Sequence, residues 1–379
     1  MSRAPFTAYE FFAGGGMASL GLGDGWRTLF ANDFDPAKAA AYRDNLGGDD
    51  LVCGDVWDID PARLPGRADL AWASSPCQDL SLAGRREGLS GARSSAFWGF
   101  WRLIEALNRE GRAPRTLVIE NVTGLANSHG GQDFAALCEA LVREGYAVGA
   151  LEVDAALFLP QSRPRLFVIA TRQAPPAGLT RSGPTPPFHG RRVVEAHARL
   201  PQALKAQWLW WSLPAPPLRN QNLAGALEPD GAVRWHSPAE TQRLFSHLGP
   251  IHRARLDEAL AGGERKVGAL FRRTRIEEGR RVQRSELRFD GVAGCLRTPG
   301  GGSSRQFIVL AEGGEARSRP ITPREAARLM GLPDDYRLPG STTAALHLAG
   351  DGVAAPVVRH LARHIIEPLL SAPAAIAAE

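Results

Sequence analysis

Leu70-Ala71-Trp72-Ala73-Ser74-Ser75-Pro76-Cys77-Gln78 is an apolar run that breaks into a polar loop, and its reading decides the fold. Four uninterrupted apolar residues predict a buried strand of the kind found in parallel sheets covered by helices on both faces. A cysteine just past the carboxyl end of such a strand sits where open α/β sheets place their chemistry. Glu120-Asn121-Val122, 43 residues beyond Cys77, closes the next apolar strand with a carboxylate. A nucleophile and an acid on neighbouring strand tips suit covalent catalysis on a ring that must be protonated to react. Each residue alone has a plainer reading: Cys77 as a small buried side chain, Glu120 as the cap of a short helix.

Outward from that strand, the first 170 residues alternate apolar runs with helical patterns. Further strands are predicted at 9–12, 28–31, 117–119, 148–153 and 166–170. Between them Phe97, Phe100, Trp101, Ile104 and Leu107 recur at helical spacing, as do Phe134, Leu137, Cys138, Leu141 and Val142. Cys138 falls on the apolar stripe and reads as a core residue. Strands alternating with amphipathic helices predict an α/β fold with a doubly wound, mostly parallel sheet. The pattern breaks at Ala174-Pro175-Pro176-Ala177-Gly178 and again at 184–187. From there to about residue 318 the texture is irregular and rich in Gly, Pro and Arg, which predicts a second, smaller, loop-dominated module. Trp208, Trp210 and Trp211 read as that module's core. Helix returns at Thr322-Pro323-Arg324-Glu325, a capping box with proline at the first helical position. A last helix follows Gly350-Asp351-Gly352, with Val358, Leu361, Ala362, Ile365 and Leu369 on one face. The expected division is therefore 1–180 plus 340–379 as one domain and 181–339 as the other.

The 379 residues carry a net charge of +5, unevenly spread. Residues 1–180 hold 17 basic and 21 acidic groups, whereas 181–379 hold 28 and 19; only Lys38, Lys205 and Lys266 are lysines. A basic segment joined to a mildly acidic one predicts a nucleic-acid surface. No apolar run approaches the roughly 18 residues of a membrane span, and the N-terminus lacks a signal-peptide pattern. Four scattered cysteines without Cys-x-x-Cys spacing predict neither a zinc site nor a disulfide framework, and a reducing cytoplasmic setting follows.

The run Phe11-Phe12-Ala13-Gly14-Gly15-Gly16 leaves the first strand and enters a helix, a geometry in which glycines let the backbone approach a ligand closely. Asp33 follows Gly14 by 19 residues, the spacing at which an acid meets ribose hydroxyls. Phe34 beside it could lie on an adenine face. Cys53-Gly54-Asp55-Val56 adds a third strand tip, where Asp55 is either a ligand contact or a turn cap. A nicotinamide cofactor fits these signals equally well; the later strand tips decide.

Taken in order, Phe12-Ala13-Gly14-Gly15-Gly16, Pro76-Cys77-Gln78, Glu120-Asn121-Val122 and Gln161-Ser162-Arg163-Pro164-Arg165 resemble the prokaryotic DNA cytosine-5 methyltransferases. Ile321-Thr322-Pro323-Arg324-Glu325 and Gly350-Asp351-Gly352-Val353 look like that family's last two blocks, with Asp351 where an Asn is usual. The resemblance covers roughly 8–172 and 319–368 and implies a Rossmann-like, S-adenosylmethionine-dependent catalytic domain. It implies that Cys77 adds to carbon 6 of cytosine and that Glu120 holds the exocyclic amine and protonates ring nitrogen 3. Arg165 would steady the base and Glu120, with Arg163 nearby. It further implies that Phe12, Gly14, Gly16, Asp33, Phe34, Asp55, Pro76, Asp351 and Val353 hold the methyl donor.

A cytosine within a duplex cannot meet Cys77, so the family's reaction requires base flipping. The Gly- and Arg-rich loop 78–97 is placed to close over the flipped base, with Gln78, Ser81 and Arg85 as DNA contacts. The middle stretch, 185–310, holds 20 basic and 11 acidic groups and corresponds to the family's target-recognition region. Arg297 and Arg305, in the loop 296–306, are further expected DNA contacts; Arg272, Arg273, Arg275, Arg280, Arg281 and Arg284 form the densest basic run. The expected partner is double-stranded DNA, bound by a monomer in the prokaryotic cytoplasm at the nucleoid, with a cognate restriction endonuclease as a possible companion. The rival readings are an RNA cytosine-5 methyltransferase and a catalytically silent DNA-binding regulator.

Overall fold

The computed structural model describes residues 5–76, 96–277, 279–298 and 305–372. The chain divides into two compact units, Met1–Val153 with Pro164–Pro216 and Ala355–Glu379, and Asp154–Arg163 with Pro217–Ala354.

The first unit is built on a seven-stranded sheet. Its strands are β1 (Phe6–Phe11), β2 (Trp26–Asp33), β3 (Leu51–Cys53), β4 (Leu70–Ala73), β5 (Thr116–Val122), β6 (Ala147–Asp154) and β7 (Pro164–Thr171). Their order is β3-β2-β1-β4-β5-β7-β6, with β1 to β5 mutually parallel and β7 antiparallel to β5. Helices α1 (Met17–Leu22), α2 (Pro36–Leu46), α3 (Ala96–Arg109) and α4 (Gln132–Arg143) fall between the strands. All four residues of β4 are buried, as its unbroken apolar run requires. Phe97, Phe100, Trp101, Ile104 and Leu107 of α3 pack with Leu117, Ile119, Leu137 and Cys138 in one cluster. Each such aliphatic or aromatic side chain contributes roughly 1.5–3 kcal/mol on burial. Cys138 is fully buried, and that burial pushes its thiol well above the usual range, so it is inert packing.

The tryptophans expected in the core of the second module belong to the first unit instead. Thr180–Arg181 (β8) pairs with Trp210–Trp211 (β9), and Val148 of β6 bridges Trp208. Trp211 is fully buried and donates to the Ile169 carbonyl at 3.2 Å. Its partner position is Gly149, where a Cβ would sit 2.0 Å from the Leu209 carbonyl oxygen. Two short helices, α5 (Arg191–Arg199) and α6 (Gln202–Lys205), precede this strand.

The second unit is more regular than its sequence suggests. After α7 (Pro238–Phe245) and α8 (Pro250–Ala261) come β10 (Lys266–Glu277), β11 (Arg280–Arg288), β12 (Gln306–Glu312) and β13 (Glu315–Pro320). They form an antiparallel sheet in the order β11-β10-β12-β13. Leu244, Phe245, Leu256, Leu270, Leu287 and Val309 close its core. The predicted capping box opens α9 (Pro323–Arg328), where Thr322 and Glu325 cap one another's backbone. Arg319, buried beside it, donates to both Glu325 oxygens at 2.7 and 2.5 Å. α10 (Thr342–Asp351) follows.

The chain ends in the first unit with α11 (Ala355–Leu361), a π-helical turn (Ala362–Ile366) and α12 (Glu367–Ser371). Val358, Leu361, Ala362, Ile365 and Leu369 are all buried, as their spacing predicts. Among the described residues no helix is long and apolar enough to cross a membrane.

Candidate active site

Because β1 to β5 run parallel, their carboxyl ends share one edge of the sheet. The antiparallel β7 begins at that edge, where Arg165 stands opposite Val122 and Phe167 opposite Glu120. Phe12, Gly14, Gly16, Asp33, Phe34, Asp55, Pro76, Glu120 and Arg165 are thereby brought to one side of the first unit. Cys77, Gln78, Ser81 and Arg85 lie outside the described residues.

At the glycine-rich end the backbone leaves ordinary space: Phe12 has φ 57°, Gly14 57° and Gly16 77°. A left-handed phenylalanine costs about 1–3 kcal/mol, a strain that persists at functional sites because its surroundings enforce it. Here the enforcing bonds are visible. Gly14 N–H donates to Asp33 Oδ2 at 2.7 Å, Asp35 N–H to Asp33 Oδ1 at 2.8 Å, and Ala13 N–H to the Asn32 carbonyl at 2.9 Å. Asn32 donates its amide to the Val52 and Gly54 carbonyls at 3.0 and 2.9 Å, which ties the β2 tip to the β3 exit. Burial raises the Asp33 carboxyl above its usual range, while the Asp35 and Gly14 amides pull it down. Asp55 caps the turn Val56–Asp58 through the Trp57 N–H at 3.0 Å. Phe34 is 73% exposed. Among the described residues a Cβ at Gly14 or Gly54 would meet nothing within 4 Å, which leaves room before both backbones. An uncovered aromatic ring, a strand-end carboxylate and open backbone together fit an adenosine-containing ligand.

At the other end Glu120 is 5% exposed, and Arg165 Nε lies 3.0 Å from its Oε1. A charge-assisted bond of this kind fixes the carboxylate's orientation as well as its position. Asn121 donates to the Ser75 carbonyl and hydroxyl at 3.2 and 3.1 Å, and its own Oδ1 accepts from Val122 N–H at 2.8 Å. The β5 tip therefore holds the β4 exit one residue before exposed Pro76, which leads into Cys77.

Sequence reasoning missed Glu10, two residues before Phe12. It is 2% exposed and accepts a hydrogen bond from the Ser19 hydroxyl, which also meets Thr28 Oγ1 at 2.8 Å. Burial pushes its carboxyl up to about 7. Its only sequence signal is an acid at an inward position of an apolar strand. Asn32 and Asn121 were also unassigned, although Asn121 sits in the quoted tip Glu120-Asn121-Val122 and Asn32 directly precedes Asp33.

The remaining expected residues belong to the second unit. Arg163 precedes β7 by one residue, so of the two arginines only Arg165 lies on the strand. Arg163 is 2% exposed and donates to the Leu296, Gly350 and Gly352 carbonyls at 2.9, 2.8 and 2.7 Å. Beside it Gln161, fully buried, donates to the Leu329 carbonyl at 2.6 Å and accepts from Leu296 N–H at 3.0 Å. Asp351 accepts from the Thr298 hydroxyl, and Val353 is buried. Arg297 is exposed and Arg305 half-buried.

Comparison with known proteins is consistent in direction. The profile of the family described as C-5 cytosine-specific DNA methylase matches residues 6–367. The chain is 27% identical over 373 residues to the Type II methyltransferase M.PspPI of Psychrobacter sp. (strain TA137), covering 97% of this chain and 80% of that protein. It is 25% identical over 366 residues to the Type II methyltransferase M.NlaX of Neisseria lactamica, covering 95% and 96%. The crystal structure of the S. pombe Dnmt2 methyltransferase aligns with a TM-score of 0.59 at 16% identity, over 96% of this chain and 99% of that one. That last likeness is one of fold.

Proposed function

Because this chain belongs to the C-5 cytosine-specific DNA methylase family and is a DNA cytosine-5 methyltransferase, we propose that it methylates a cytosine flipped out of a specific duplex sequence, through a covalent Cys77 adduct. S-adenosylmethionine, when bound, supplies an electrophilic methyl group on a sulfonium. Phe34, Asp33 and the backbone at Gly14 would hold its adenosine part, with Asp55 and Pro76 lining the same edge; Asp351 and Val353 are proposed as further contacts by the family resemblance alone.

Carbon 5 of cytosine is a poor nucleophile until carbon 6 gains an electron-rich substituent. The Cys77 thiolate forms a bond to carbon 6, and the displaced ring electrons are accommodated as nitrogen 3 takes a proton from Glu120. The adduct would make carbon 5 nucleophilic enough to accept the methyl group that the donor supplies, the donor's sulfur keeping the electron pair of the bond it loses. Loss of the carbon 5 proton to a base expels Cys77 and restores the ring. Arg165 keeps Glu120 aimed at nitrogen 3, and Asn121 keeps the chain entering Cys77 level with it. Arg163 acts from the second unit by holding the Gly350–Gly352 turn. The division expected at 181–339 becomes the proposal that the basic middle segment reads DNA as a monomer's recognition lobe, with Arg297 and Arg305 among its contacts. Gln78, Ser81 and Arg85 are proposed as further DNA contacts, and a companion endonuclease would share the site.

The observation that carries this reading is the buried Glu120–Arg165 pair on the strand tip bonded to the exit leading into Cys77. Transfer of labelled methyl from S-adenosylmethionine to duplex DNA tests it. Cys77→Ala should abolish turnover while DNA binding persists. Turnover by that variant, or none by the wild type on any cytosine-containing duplex, would refute the proposal.

A further inference from the structure

Among the described residues, the sheet of the second unit narrows to two strands past Phe271: β10 pairs with β12 over residues 266–271, whereas its pairing with β11 continues from Arg272 opposite Ser285 to Glu277 opposite Arg280. These six pairs make a ribbon about 20 Å long at about 3.4 Å per residue. The edge of β11 is covered at the ribbon's base, where Ser285 N–H donates to the His247 carbonyl at 2.8 Å and Arg255 donates to the Leu287 carbonyl at 3.1 Å. Toward the tip Arg273, Thr274, Arg275, Ile276, Arg281 and Gln283 are exposed. An isolated two-stranded ribbon is marginally stable in water, so something must hold this one.

One face does so. Arg273, Arg275 and Glu277 lie opposite Arg284, Val282 and Arg280, with Glu286 nearer the base. Glu286 pairs with Arg275 and, at 3.6 Å, with Arg273; Glu277 accepts from Arg284 Nε at 2.8 Å. The other face is built differently. Thr274 lies opposite Gln283, and Ile276 opposite Arg281. Among the described residues none of these four makes a side-chain hydrogen bond or ion pair, and Ile276 is 77% exposed. Two polar side chains, a cation and an apolar residue are thus held out on the ribbon without a polar partner among the described residues.

We propose that this ribbon enters the major groove of the DNA substrate, with Thr274, Ile276, Arg281 and Gln283 turned toward the base pairs as selectors of the methylated sequence. The proposal rests on the methyltransferase reading above and names the residues that would give it specificity. The major groove, about 12 Å wide, admits a two-stranded ribbon. The four side chains match what base edges offer: Arg281 the O6 and N7 of guanine, Gln283 the N6 and N7 of adenine, Thr274 either a donor or an acceptor, and Ile276 the thymine methyl. The two cross-strand pairs stand two residues apart, about 7 Å, which spans about two base-pair steps. The opposite face, with four arginines against two acids, suits the flanking phosphates, whose contacts position without selecting.

The test starts from the full chain acting on a random-sequence duplex library, with methylated cytosines mapped by bisulfite sequencing. It continues with kcat/KM on the preferred site and on its single base-pair variants. Arg281→Ala, Gln283→Ala and Ile276→Ala should each lose roughly tenfold or more on the preferred site and relax discrimination at a single base pair. Thermal unfolding and S-adenosylmethionine binding should match the wild type. Gln283→Met, which keeps side-chain volume, and Ile276→Thr, which keeps the β-branch that suits a strand, carry the same expectation if an alanine variant unfolds. Arg275→Gln, on the opposite face, should leave the base preference as it was. Site preference and kcat/KM within about twofold of wild type in all the ribbon variants would overturn the assignment, as would relaxed preference in Arg275→Gln alone. A wild-type chain that methylates no duplex would instead overturn the methyltransferase reading and this proposal with it.

Discussion

Glu10 makes the stability of the first unit depend on pH in a direction opposite to that of most carboxylates. Burial is the largest influence on it and pushes its carboxyl from 4.5 to about 7, with Asp50 adding a smaller push. The Ser19 hydroxyl and the backbone amides of Ser19 and Ala18 favour the charged form but only partly offset burial. Between pH about 4.5 and about 7 the folded protein therefore keeps a proton that the unfolded chain releases. The stability conferred by the protonated form is complete below about 4.5 and is lost as pH rises through about 7. The rise from 4.5 to about 7 sets a ceiling of about 3 kcal/mol on this contribution. Glu10→Gln keeps the shape and an acceptor for Ser19 but cannot ionise. From pH 5 to pH 8 the stability difference should move in the variant's favour by about 2–3 kcal/mol. Urea unfolding of both proteins, followed by tryptophan fluorescence at fixed ionic strength and four pH values, reads this directly. Parallel pH dependences would refute the reasoning, because Glu10 would then titrate alike in folded and unfolded chains.

Four other expectations follow from the site. Glu120→Gln should lower kcat by on the order of 10²–10⁴ with DNA affinity little changed, the loss expected of a general acid, measured in a single turnover. Arg165→Met leaves the Glu120 charge buried without its guanidinium and should cost roughly 3–5 kcal/mol of stability in denaturant unfolding. Arg163→Met deprives the Leu296, Gly350 and Gly352 carbonyls of donors; at about 1–3 kcal/mol for each acceptor left unsatisfied, the second unit should unfold at markedly lower denaturant. Phe34→Ala should raise the KM for S-adenosylmethionine while stability changes by no more than about 0.5 kcal/mol, since the ring is exposed.

The sheet was legible because strands buried on both faces announce themselves as apolar runs. β4 and β5 needed no alternation to be seen, and their ends marked Pro76 and Glu120. β3, three residues long, was visible only as the tip Cys53-Gly54-Asp55. The asparagine clips at 32 and 121 were hidden because an amide's partner lies on another strand, and no local pattern specifies which carbonyl it reaches. The tryptophans at 208–211 were misplaced for a related reason: an aromatic cluster marks a core without saying whose. The ribbon was read as a dense basic run in an irregular module. Its strands carry polar side chains on both faces near the tip, so the alternation that signals a half-buried strand is absent there. Leu270 and Leu287 at its base face the core, and those lie outside the arginine-rich stretch.

The ribbon also divides labour in a way that bears on how such a protein diverges. One face closes its charges on itself and keeps the hairpin shut. Exchanges among the four residues of the other face touch none of those bonds, and exposed substitutions of this kind usually shift stability by less than about 0.5 kcal/mol. A lineage could therefore drift from one target sequence to another by rewriting Thr274, Ile276, Arg281 and Gln283, without passing through an unfolded intermediate and without disturbing Glu120 or Arg165.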